Sequence, residues 1–117
     1  MPDIFAYGTL IEVTVQELNF RTIFRAKARA ILTGYKKVDD SVNLGLDRVY
    51  SGLIKDGRNS VKGVILEVPD EHIEAMDRYE TIGPGLENAY RRIGARVKIN
   101  EGEQSGQEVN VEVYIKA

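Results

Sequence analysis

Residues 3–10 read Asp3-Ile4-Phe5-Ala6-Tyr7-Gly8-Thr9-Leu10. The apolar run over residues 4–7 predicts a first strand, and it meets Gly8-Thr9 at its end. Glycine accepts backbone angles closed to other residues. A strand ending there can turn sharply and leave the N–H groups of Tyr7, Gly8, Thr9 and Leu10 facing one space. Such a nest of donors binds an anion, most simply a carboxylate. On these residues alone, an ordinary strand-to-loop turn is the alternative reading.

Working outward, Thr14 and Glu17 have the spacing of a capping box, flanked by Val13 and Leu18 as a hydrophobic staple. They predict a short helix over residues 15–21. Residues 26–37 alternate small apolar and basic side chains (Ala26, Lys27, Ala28, Arg29, Ala30), the period of a half-buried strand, with Gly34 marking a bulge or a close approach. Residues 39–47 are polar and read as loop. Residues 48–54 and 61–68 read as two strands joined by a hairpin at Asp56-Gly57. Pro69 and Asp70 then open a helix that runs to about Glu80, with Ile73, Met76 and Tyr79 on its buried stripe. Gly83-Pro84-Gly85 ends it. Residues 90–99 and 109–115 are two further strands, joined by a polar, glycine-containing segment. Strands joined by hairpins favour an α+β fold: a mixed, mainly antiparallel small barrel or sheet with two flanking helices.

The chain has 117 residues, enough for one domain over residues 1–117 with a single unstapled core. It has no cysteine, which excludes disulfides, thiolate catalysis and cysteine-based zinc sites and fits a cytoplasmic location. No basic-then-apolar N-terminal pattern suggests a signal peptide, and no stretch approaches the roughly 18 apolar residues of a membrane span. The net charge of −2 offers nucleic acid no global attraction. Residues 21–37 do hold six basic residues and no acid. A solvated strand face is the plain reading of that run, and an RNA- or DNA-binding strand is the competing one.

Glu80 stands at the expected C-terminus of the second helix. The macrodipole presents partial negative charge there, which raises a carboxyl pKa, and burial raises it further. A carboxyl tuned towards neutrality suits general acid–base catalysis. A solvated glutamate at a frayed helix end is the alternative.

The surrounding motif weighs on that choice. Met76-Asp77-Arg78-Tyr79-Glu80, followed after a loop by Tyr90-Arg91-Arg92, resembles a signature of Leu-Asp-x-aromatic-Glu and then Tyr-x-Arg. With the early Tyr-Gly-Thr-Leu, the strand end Thr33-Gly34-Tyr35 and the segment Val61-Lys62-Gly63-Val64, the chain resembles the gamma-glutamylcyclotransferase-like superfamily, which includes gamma-glutamylamine cyclotransferases. The likeness runs over residues 3–99. It implies a small barrel-like sheet with flanking helices. It also implies an enzyme in which the substrate's own alpha-amine attacks its gamma-carbonyl, releasing an amine or peptide and 5-oxoproline. By that resemblance the backbone of Tyr7, Gly8, Thr9 and Leu10 cradles the alpha-carboxylate. Glu80 moves the proton, Tyr90 is a wall or hydroxyl donor, and Arg92 is structural, pairing with Asp77. The ligand is a small gamma-glutamyl compound, and no metal, cofactor, nucleic acid or membrane is implied. The oligomeric state is left open. Ile11-Glu12-Val13 departs from the glycine-containing loop that often follows the first motif, which bears on recognition of the distal part of the substrate.

His72, the one histidine, lacks a second nitrogen ligand at metal-binding spacing and reads as an exposed surface residue. The glycines form neither a dinucleotide fingerprint nor a Walker loop. Two functional readings follow: an acid–base enzyme centred on Glu80, or a module that keeps the pocket and binds a small molecule without catalysis.

Overall fold

The computed structural model describes residues 3–7, 11, 13–39, 51–81 and 90–116. Within them the chain runs β1 (Asp3–Ala6), α1 (Val13–Phe20), β2 (Arg25–Asp39), β3 (Ser51–Glu67), α2 (Asp70–Thr81), β4 (Tyr90–Ile99) and β5 (Glu108–Lys116). The strands close into a barrel in the order β1-β3-β2-β4-β5. β1 and β5 are parallel, and the other neighbours are antiparallel. The architecture is the predicted α+β fold, a mixed and mainly antiparallel barrel with two helices.

Side chains of a strand alternate between faces, and here both faces are covered. Phe5, Ala30, Leu32, Leu53, Val61, Ile65, Val97, Val111, Val113 and Ile115 belong to a cluster inside the barrel. Ile4, Ala6, Leu66, Val68 and Tyr114 pack outside it with Phe20, Phe24 and Met76 under the helices. β1 is therefore apolar on both faces, as a strand sandwiched between barrel and helices must be. β1 also passes so close over Gly63 that no side chain fits there.

Three local expectations are corrected. Residues 48–54 and 61–68 are not two strands of a hairpin: residues 51–67 form one continuous strand, β3, antiparallel to β2 along its length. The ladder runs from Thr33↔Ser60 to Tyr35↔Lys55, so residues 56–59 bulge out of it. The Asp56 carboxylate accepts from the Arg58 N–H at 3.1 Å and from the Asn59 side-chain amide at 2.9 Å. Asp-Gly turn chemistry is thus satisfied inside a bulge, with no reversal of the chain. Residues 40–50, with the expected loop and the start of the expected strand, lie outside the described residues, as does Gly83-Pro84-Gly85.

The first helix starts at Val13, so Thr14 lies within it and does not cap it. The expected staple is not made, because Leu18 is 83% exposed. Gln16, 1% exposed, fixes the helix from its other side by accepting the Phe24 N–H at 2.8 Å. Arg21 ends the helix in the left-handed region, φ 57°, with its N–H on the Glu17 carbonyl at 2.9 Å. The third correction concerns His72. It is half-buried, its ring edge-on to Phe24 at 5.6 Å, because the first turn of α2 lies against the segment that follows α1. α2 otherwise follows expectation. Met76 is fully buried and Ile73 partly so, while the Tyr79 side chain lies outside the described residues.

Candidate active site

The elements carrying the expected site residues meet at one end of the barrel. β1 runs parallel to β5 with Ile4 beside Glu112, so the first strand delivers Tyr7 to the C-terminal end of β5. β4 runs the other way, with Tyr90 opposite Lys116 and Arg92 opposite Tyr114. α2 leaves the far end of β3 and climbs the outside of the barrel until Asp77 meets Arg92.

Tyr114 ties these pieces together. The Tyr7 hydroxyl donates to the Tyr114 carbonyl at 2.6 Å, and the Tyr114 hydroxyl donates to Asp77 Oδ1 at 2.5 Å. Asp77 also faces Arg92 Nε at 3.3 Å, and Arg92 reaches Glu112 Oε2 at 3.2 Å. A short hydrogen bond from a hydroxyl to a carboxylate is charge-assisted and among the stronger polar contacts. The Asp77–Arg92 pair is partly solvated, so its ion pairing alone contributes about 0–1 kcal/mol. Arg92 is thereby a structural partner of Asp77. Sequence reasoning did not find Tyr114, whose two bonds span |i−j| of 107 and 37. Its one local trace is an aromatic at an otherwise aliphatic strand position.

Glu80 lies on α2 one turn beyond Asp77 and one residue before the helix ends at Thr81. Three residues of helix rise about 4.5 Å, so its backbone stands one turn from the contacts of Asp77. Tyr90 opens β4 two residues before Arg92. The side chains of Glu80 and Tyr90, and Gly8, Thr9 and Leu10 as a whole, lie outside the described residues. Tyr7 is described: its ring packs against the barrel cluster, stacked with Phe5 at 6.5 Å, and its carbonyl accepts from Lys37 Nζ at 3.0 Å.

Three cations of the basic run pair with acids: Arg25 with Glu67 at 3.5 Å, Lys27 with Asp3 at 3.0 Å and Arg29 with Glu101 at 3.9 Å. Such pairing leaves less free charge for phosphates than the sequence suggests. Among the described residues no group of three or more histidine, aspartate or glutamate side chains is arranged to hold a metal. No helix among them is long and apolar enough to cross a membrane.

The sequence profile of the family described as gamma-glutamyl cyclotransferase, AIG2-like, matches residues 4–117. No curated protein sequence matches the chain significantly. Solved structures share the fold. A protein described as gamma-glutamyl cyclotransferase superposes with a TM-score of 0.76 at 16% identity, over 98% of this chain and 66% of that one. An uncharacterized protein from Homo sapiens gives 0.77 at 19% identity, over 99% of this chain and 66% of its own. An Arabidopsis thaliana protein gives 0.72 at 21% identity, over 98% and 61%. The chain thus spans less than two thirds of the length of each of these three.

Proposed function

The chain belongs to the gamma-glutamyl cyclotransferase, AIG2-like family, and from that premise we propose that it is a cyclotransferase: it cleaves a small gamma-glutamyl amine or peptide by intramolecular aminolysis and releases 5-oxoproline. The amides of Tyr7, Gly8, Thr9 and Leu10 hold the alpha-carboxylate. Glu80 takes a proton from the alpha-ammonium group. The freed amine attacks the gamma-carbonyl carbon, closing a five-membered ring. As the tetrahedral intermediate collapses, the scissile C–N bond breaks, Glu80 returns its proton to the leaving nitrogen, and the second proton shed by the ring nitrogen passes through water to the released amine. Nucleophile and electrophile belong to one molecule, so the protein's main contribution is to hold the substrate folded. Tyr90 lines the site. No step needs a cofactor. We read residues 1–117 as one domain acting in the cytoplasm.

The observation that carries this reading is the pair of hydrogen bonds at Tyr114: its carbonyl accepts from Tyr7, and its hydroxyl donates to Asp77 in the turn of α2 that precedes Glu80. The strand that ends in the proposed carboxylate cradle and the helix that bears the proposed acid–base group are fastened to one residue at one barrel end.

Glu80→Gln tests the reading. The variant is expected to lose about 10²–10⁴ in turnover while keeping fold and ligand binding, and unchanged formation of 5-oxoproline would remove the role of Glu80. The second reading, a binding module without catalysis, is favoured by Ile11-Glu12-Val13, which replaces the family's usual loop. Titration calorimetry alongside a product assay separates the two, since the module binds gamma-glutamyl compounds and leaves them intact.

A further inference from the structure

β2 aims a charged residue at the mouth of the barrel. Ala28, Ala30 and Leu32 face the interior, which sets the even-numbered positions inward. At Gly34, φ 91°, the register slips between Thr33 and Tyr35. A bulge re-aims every side chain beyond it, and the inward face passes to odd positions. Tyr35 packs against the barrel cluster, and Lys37 stands opposite Leu53, which is fully buried in that cluster. Lys37 itself is exposed, so its ammonium keeps water around it while its stem lies on the inward face.

The ammonium donates to the Tyr7 carbonyl at 3.0 Å. An ammonium has three donors, and a carbonyl acceptor takes up one of them without neutralising its charge. Among the described residues no carboxylate pairs with Lys37, in contrast to Arg25, Lys27 and Arg29 on the same strand. The result is a positive charge, with donors to spare, at the residue where β1 gives way to Gly8-Thr9-Leu10. Nothing in the family motifs assigns this lysine a role.

We infer that Lys37 is a specificity residue that binds a carboxylate of the ligand beside the Tyr7 carbonyl. The identity of the ligand rests on the proposed function; the lack of a carboxylate partner for Lys37 among the described residues does not. Two carboxylates could meet it: the alpha-carboxylate common to all gamma-glutamyl compounds, or one on the leaving group.

The test compares wild type, Lys37→Met and Lys37→Arg on gamma-glutamylglycine, whose leaving group is acidic, and gamma-glutamylethylamide, whose leaving group is neutral. A charge-assisted hydrogen bond predicts a loss of about tenfold or more in kcat/KM for Lys37→Met, carried by KM, with most of it restored in Lys37→Arg. Loss on both compounds assigns the alpha-carboxylate, and loss on gamma-glutamylglycine alone assigns the leaving group. Equal rates for all three proteins on both compounds would overturn the inference and leave the cyclotransferase reading standing. A second arm needs no turnover: titration with 5-oxoproline and with its neutral amide. If neither gamma-glutamyl compound is cleaved, yet 5-oxoproline binds wild type and Lys37→Arg in preference to Lys37→Met, the carboxylate site stands and the enzyme reading falls. Equal weakening of the acid and of its amide in Lys37→Met would show a packing role and overturn the inference.

Discussion

Gly63 shows how much a single position can constrain this fold. A Cβ built there would stand 2.4 Å from the Ala6 carbonyl oxygen and 2.6 Å from the Phe5 ring. The first obstacle is backbone, in a strand fixed on both sides by β3 and β5, so it cannot swing away. Gly63→Ala is therefore expected to destabilise the protein by about 1–3 kcal/mol or more, the cost of overpacking, read as a lower midpoint in urea at unchanged slope. A midpoint equal to wild type would mean that β1 lies further from β3. The Val61-Lys62-Gly63-Val64 resemblance thus has a physical cause that spacing alone did not reveal. Lys37 is the opposite case. Alternation along residues 26–37 was plain to read, but which face Lys37 takes depends on the slip at Gly34, which a sequence marks only as a glycine.

At the scale of elements, the Tyr114 hydroxyl joins β5 to α2. Tyr114→Phe keeps the ring in its apolar setting and keeps the carbonyl that receives Tyr7, and it removes the hydroxyl that donates to Asp77. A hydrogen bond to a charged group predicts about 1.5–3 kcal/mol of lost stability. If α2 positions Glu80, kcat falls about tenfold to a hundredfold through misplacement of the reacting groups, while KM stays close to wild type. An unchanged kcat with lowered stability would confine Tyr114 to the fold. Elements defined by local chemistry were legible beforehand: α2 from Pro69-Asp70 and Met76, β4 and β5 from runs bounded by polar residues. The hairpin was misread because Asp56-Gly57 satisfies its turn bonds within a bulge. The first helix was legible but its anchoring was not: Leu18, the expected staple, is exposed, and the buried contact is made by Gln16, a residue that no apolar pattern selects.

For the whole molecule, closure of five strands with β1 parallel to β5 brings residues 7, 77, 92 and 114 to one barrel end. No motif in the chain states that closure. The fold class was legible from the sequence of strands and helices, whereas the convergence of the site depends on contacts a hundred residues apart. The central claim is that residues 8–10, which follow β1, and the last turn of α2 form one ligand site. Amide chemical-shift mapping during titration with 5-oxoproline tests it most directly. The account predicts saturable shifts at Gly8, Thr9 and Leu10 together with Glu80 and Thr81, sharing one binding constant. Shifts confined to either segment, or gathered at the opposite end of the barrel near residues 100–107, would contradict it.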